Sequence, residues 1–143
     1  MFHRKKKEGE KPKYNNKKVI HKGIKFDSQM EADYYDYLLK KHREQDIQIQ
    51  PKFILQEGFT DNQGKKILPI TYKADFMIND FVYDVKGKET IEFKIKKKMF
   101  KKNYLQKELV LITKAPLYLG VEWCTLEELL SARKARKKLE VKK

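Results

Sequence analysis

The chain has 143 residues, enough for one domain with its own core; 40% are hydrophobic, 38% are charged, and the formal net charge is +14. A surplus of that size points to a polyanionic partner, most often nucleic acid. One cysteine, Cys124, excludes an internal disulfide framework and a cysteine zinc site and suits a reducing cytoplasm, and no apolar run reaches signal-peptide or transmembrane length.

In chain order, residues 1–18 are a basic lead-in, read as an arm that touches phosphates, ahead of a single domain over 19–138 and a basic tail over 139–143. Val19 to Phe26 reads as a short strand or a hairpin around Lys22-Gly23. Ser28-Gln-Met-Glu31 is a capping box that opens a helix through about Glu44, with Met30, Tyr34, Tyr37, Leu38 and Lys41 on one face. The tyrosines there read as core and rim packing. Ile47 to Gln56 is a strand with a bend or edge at Pro51. Glu57 to Lys66, with Gly58, Asp61-Asn62 and Gly64, is a loop or hairpin tip.

Thr71 to Gly87 reads as two strands around Asn79-Asp80. In that register Tyr72, Ala74, Phe76, Ile78, Phe81, Tyr83 and Val85 form a core face. Lys73, Asp75, Met77, Val82, Asp84 and Lys86 form the other face, with Asp75 opposite Asp84 and Lys73 opposite Lys86. Two carboxylates facing each other repel unless one is protonated or a cation lies between them. A hard divalent cation relieves that cost, and Lys86 reaches the same substrate. The pattern reads as a metal-dependent phosphodiesterase site.

Thr90 caps a helix from Ile91 to Tyr104, with Ile91, Phe93, Ile95, Met99 and Phe100 inward and a lysine-rich outer face. Lys73, Lys88, Lys94, Lys97, Lys98 and Lys101 are the candidate phosphate contacts. No acid interrupts the run from Phe93 to Lys107. Glu108 to Ile112 predicts a strand inside the sheet and Pro116 to Val121 an edge piece, with Trp123 in the core. Thr125-Leu-Glu-Glu128 opens a last helix through about Lys138, with Leu126, Leu129 and Leu130 inward. The sum is a mixed sheet with flanking helices, α/β or α+β. The histidines, His3, His21 and His42, have no zinc-site spacing, and no nucleophile triad, P-loop or dinucleotide fingerprint appears. Gln50 and Gln56 are given no role, since strand edges commonly carry glutamine.

Glu31 on an early helix, Ala74-Asp75-Phe76 and Tyr83-Asp84-Val85-Lys86-Gly87, in that order, resemble the PD-(D/E)xK nuclease superfamily. Ala74 stands where the named pattern has proline. Similar still is a phage-borne family of unknown function, whose members share stretches like residues 23–32, 50–53, 69–76 and 84–87; the resemblance runs from about Tyr14 to Leu119. It implies a restriction-endonuclease-like fold with an αβββαβ core and cleavage of DNA phosphodiesters with Mg²⁺ or Mn²⁺. Relatives include Holliday-junction resolvases, which points to branched or recombination-intermediate DNA in a phage-infected bacterial cytoplasm. Asp75, Asp84, the carbonyl of Val85 and Glu31 would hold the metal, and Lys86 would act on the scissile phosphate. For Glu31 the cap role and the ligand role both stay open. DNA is the expected partner, with a homodimer and recombination proteins as further possibilities and no membrane. The alternative is a non-catalytic DNA-binding or adaptor domain on the same scaffold, and an RNA substrate is also open.

Overall fold

Lys22 and Gly23 both take positive φ, 51° and 77°, closing the antiparallel hairpin of β1 (Val19–His21) and β2 (Ile24–Phe26). The computed structural model of the chain describes residues 17–141. Most of the expected basic lead-in, together with His3, Lys142 and Lys143, therefore lies outside the described residues.

Helix α1 (Gln29–Lys41) starts where Ser28 Oγ accepts the N–H of Glu31, and Lys40 and Lys41 stand in its last turn, where the dipole favours cations. It is three residues shorter than expected, because a 3-10 turn at Glu44–Asp46 leads out of it. Strands β3 (Gln48–Ile49) and β4 (Lys52–Gln56) are followed by a small hairpin of β5 (Phe59–Thr60) and β6 (Lys66–Ile67), then by β7 (Ile70–Lys73), β8 (Phe76–Ile78) and β9 (Phe81–Val85). Helix α2 (Ile91–Asn103) begins at Thr90, whose Oγ1 accepts the N–H of Phe93, and carries the chain to β10 (Glu108–Lys114), parallel to β9. Strand β11 (Trp123–Thr125) and helix α3 (Leu126–Val141) end the described chain, α3 running three residues past its expected stop.

The main sheet has the order β11-β10-β9-β8-β3, mixed because only β9 and β10 run parallel. With three helices among the described residues, this is a mixed α+β fold. None of those helices is long and apolar enough to cross a membrane.

The two cores lie on opposite faces of the sheet. Tyr34, Tyr35 and Leu38 of α1 meet Phe76, Ile78, Val85 and Ile112 on one side. Phe93 and Phe100 of α2 meet Val82, Ala74, Tyr72 and Phe53 on the other. Tyr35 stacks on Phe76 at 5.9 Å between centroids, and Phe100 meets Phe53 edge-on at 5.0 Å. Phe76 on β8 and Val82 on β9 are both fully buried but on opposite faces. Side chains of that size contribute roughly 1.5–3 kcal/mol each on burial.

A coordinated bend organises the site. The chain breaks between β3 and β4 at Gln50-Pro51 and between β7 and β8 at Ala74-Asp75. Pairing continues across both breaks, through Gln50 N–H to the Asp75 carbonyl (2.8 Å) and Ala74 N–H to the Pro51 carbonyl (3.0 Å). Gln50 sits at φ 50°, a left-handed conformation uncommon outside glycine.

Several expectations change with this geometry. Tyr72 and Ala74 lie on the α2 face, not with Phe76, because the alternation slips by one residue at Asp75. Met77 and Val82 pack under α2 instead of lining an open polar face. Lys73 stands opposite Lys52, not Lys86, since β7 pairs with β4. Ile91 and Ile95 are exposed because only Phe93 and Phe100 of α2 are buried, and Leu130 of α3 is exposed as well. Pro116 to Val121 is no edge strand: it holds a 3-10 turn at Leu117–Leu119, stopped by Gly120 at φ 67°, and β11 takes the sheet edge.

Candidate active site

Three carboxylates on three separate elements lie within electrostatic reach of one another. Glu31 comes from the first turn of α1, Asp75 from the bend and Asp84 from β9. Glu31 and Asp84 are buried, and Asp75 is half-buried. Asp75 is not a ladder partner of Asp84. Regular pairing ends at Phe76 with Tyr83, and the Asp75 N–H turns to the Tyr83 carbonyl at 3.1 Å.

Each carboxylate has its own protein donors. Asp75 Oδ2 accepts the Val85 N–H at 2.7 Å. Asp84 accepts the buried hydroxyl of Tyr72 and pairs with Lys86 Nζ at 3.3 Å. Glu31 accepts the Asp27 N–H at 3.2 Å and the Ser28 hydroxyl at 3.3 Å, so its cap role is realised in the structure. Among the described residues, no group of three His, Cys, Asp or Glu side chains converges on a single metal position as they stand.

The electrostatics are strained all the same. Burial, then the charges of Asp84 and Glu31, push the Asp75 carboxyl up to about 8; the Val85 N–H and Lys86 pull the other way without winning. Burial first, and the nearby acids Asp27 and Asp84 besides, also raise Glu31. The set is hard oxygen chemistry with excess negative charge, and such a set suits Mg²⁺, which is commonly held by one or two carboxylates and retains several waters. Val85 fits it as well. Lys86 N–H bonds the Ile112 carbonyl on the β10 side at 2.8 Å, so the N–H and carbonyl of Val85 point the other way, toward Asp75.

Lys86 is held from two sides. Its ammonium meets Asp84 and lies 3.9 Å from the ring centroid of Phe93, in the first turn of α2. The candidate DNA-contacting lysines divide into two groups. Lys73 pairs with Asp27 at 3.5 Å, and Lys97 with Glu89 at 2.8 Å. Lys88, Lys94, Lys98 and Lys101 are exposed, with no acid in salt-bridge range among the described residues.

Tyr72 is the residue that sequence reasoning missed. Burial and the Asp84 charge hold its phenol far above its ordinary value, so it stays a donor. A tyrosine two residues before Ala74-Asp75 was the available signal, but the alternation assigned it to the wrong face. Gln50 is tied into the bend, its side-chain amide donating to the Lys25 carbonyl at 2.8 Å.

The model of one protein family matches residues 11–120, more than half of the chain. The chain belongs to the DUF1064 family. That family is described as proteins of unknown function, and the matched DUF1064 stretch includes Glu31, Asp75, Asp84 and Lys86. It ends before α3. No curated protein and no solved structure matches the chain.

Proposed function

We propose that this chain is a metal-dependent endonuclease that hydrolyses DNA phosphodiesters on a restriction-endonuclease-like scaffold, with branched or recombination-intermediate DNA as its substrate. One observation carries the reading: Glu31, Asp75 and Asp84 lie within electrostatic reach of one another, with Lys86 paired to Asp84, on a chain of net charge +14. Folding against such repulsion costs stability, and a phosphodiesterase is a reason to keep it.

Asp75, Asp84, the Val85 carbonyl and Glu31 are the groups that would hold Mg²⁺ or Mn²⁺, which supplies a bound water of lowered pKa as the nucleophile. The chain's own residues do the rest. Lys86 would bind a non-bridging oxygen of the scissile phosphate and offset the negative charge that builds on it during hydrolysis. Asp84 and the Phe93 ring keep that ammonium in place. Tyr72 orients Asp84. The exposed lysines of α2 draw in the flanking phosphates.

A second reading, a DNA-binding domain without catalysis, is favoured by one observation: Asp84 is already bonded to Tyr72 and Lys86. Incubating the protein with labelled duplex, flap and four-way DNA in Mg²⁺, Mn²⁺ or EDTA separates the two readings. Metal-dependent cutting that Asp84→Asn abolishes, with DNA binding retained, supports the nuclease. Binding without cutting in either metal supports the adaptor.

A further inference from the structure

A cleft of about 780 Å³ opens between α3 and the end of β10, and its lining includes Gly87, the residue after Lys86. Five cations line it, Lys114, Arg133, Lys134, Arg136 and Lys137, against a single acid, Glu140. Its lining also carries apolar and aromatic surface, with Pro116, Tyr118 and Leu130; Tyr118 and Leu130 are 47% and 55% exposed. We infer that this cleft binds a single-stranded DNA segment running away from the scissile phosphate. The inference rests on the DNA substrate proposed above and adds the form of that substrate.

The charge pattern suits an anion. Arg133 faces Arg136 and Lys137 along the helix surface, and Lys134 faces Lys137 and Lys138, at spacings of three and four where like charges destabilise a helix. The helix dipole favours cations in the last turn, but Arg133 and Lys134 stand in the middle of α3. Internal pairing offsets little of this: Arg136 reaches Glu140 at 3.9 Å, and Lys114 reaches Asp33 at 3.6 Å. Nor does packing hold α3 in place along its length, since its one buried residue is Leu129. A polyphosphate backbone laid along the helix removes the repulsion.

The exposed aromatic surface favours the unpaired strand form. A duplex offers a protein its outer phosphates and groove edges, whereas an unpaired strand also offers base faces, which stack on aromatic and cationic planes. Arg136 lies 4.5 Å over the Tyr118 ring, so the cleft already contains one cation–aromatic stack to extend. Gly87, the residue after Lys86, is part of the lining, so we place the unpaired strand's path from the site through this cleft.

The test is fluorescence anisotropy in EDTA with an oligothymidine of about 12 nucleotides, a blunt duplex, and the duplex bearing a single-stranded tail. The variants are Arg133→Gln/Lys134→Gln/Lys137→Gln together and Tyr118→Ala, all at exposed positions, with folding checked by circular dichroism. The triple variant should lose about tenfold or more on the oligothymidine and the tailed duplex, with a salt slope shallower by about two. Tyr118→Ala should lose about tenfold on the same ligands with the slope unchanged. The blunt duplex should lose no more than about threefold in either case. Unchanged oligothymidine affinity in the triple variant, or an equal loss on the blunt duplex, overturns the inference. The two proposals fail separately. A wild type that holds the strand but cuts nothing in Mg²⁺ or Mn²⁺ sinks the nuclease alone. A wild type that cuts, with a triple variant that binds the strand as tightly, sinks the cleft alone.

Discussion

The hydroxyl of Tyr72 donates to the carboxylate of Asp84 between two strands that are not paired with each other, and both residues are buried. Tyr72→Phe keeps the ring packing against Phe53, Phe93 and Phe100 and removes only the donor. A buried bond to a charged acceptor is worth ~1.5–3 kcal/mol, so the metal-free protein should melt roughly 3–12 °C lower. An unchanged melting temperature would show that Asp84 does not depend on this donor.

The metal-free protein should lose stability as pH rises across the range in which Asp75 is protonated in the fold and ionised in the unfolded chain. The folded carboxyl is raised from 3.8 to about 8, so within that window the native state binds more protons than the unfolded state, and the slope of stability against pH is negative. Below 3.8 and above about 8 this group contributes no slope. Asp75→Asn can still accept the Val85 N–H and carries no charge. It should flatten that window and raise the melting temperature near pH 8, while abolishing cleavage. Urea unfolding of both proteins at several pH values reads the difference, and parallel slopes would refute it.

Divalent cations should stabilise the protein most where the acids are ionised. At about 100 times its dissociation constant a ligand adds ~2.7 kcal/mol, and the gain should be larger near pH 8.5 than near pH 6 because protons compete for Asp75. Thermal melts with Mg²⁺ and Mn²⁺ measure this. Asp84→Asn should remove most of the gain; an undiminished gain in that variant would place the ion elsewhere.

Lys86→Met keeps an unbranched stem to lie against Phe93 and deletes the ammonium. Single-turnover cleavage should fall about 10²-fold or more, the usual cost of removing one group that meets transition-state charge, while binding in EDTA falls only a few-fold. Rates within a factor of about three of wild type would exclude Lys86 from the phosphate.

Much of this protein follows from short stretches of chain. Ser28, Thr90 and Thr125 each accept an N–H three residues on, and these caps were legible because a cap is an interaction within one turn. The turns at Lys22-Gly23 and Asn79-Asp80 were legible for the same reason. Which face a side chain takes is decided by strands far away in sequence. Gln50 and Pro51 bond to Asp75 and Ala74 across the bend, the alternation slips there, and Tyr72 crosses from the expected core face to Asp84. Partners likewise decide that Phe93 and Phe100 are buried while Ile91 and Ile95 face solvent, and that α3 leaves a basic cleft instead of packing flat. Propensity and capping act over a few residues and can be read in order, whereas register, burial and the meeting of charges are sums over partners that only the folded chain brings together.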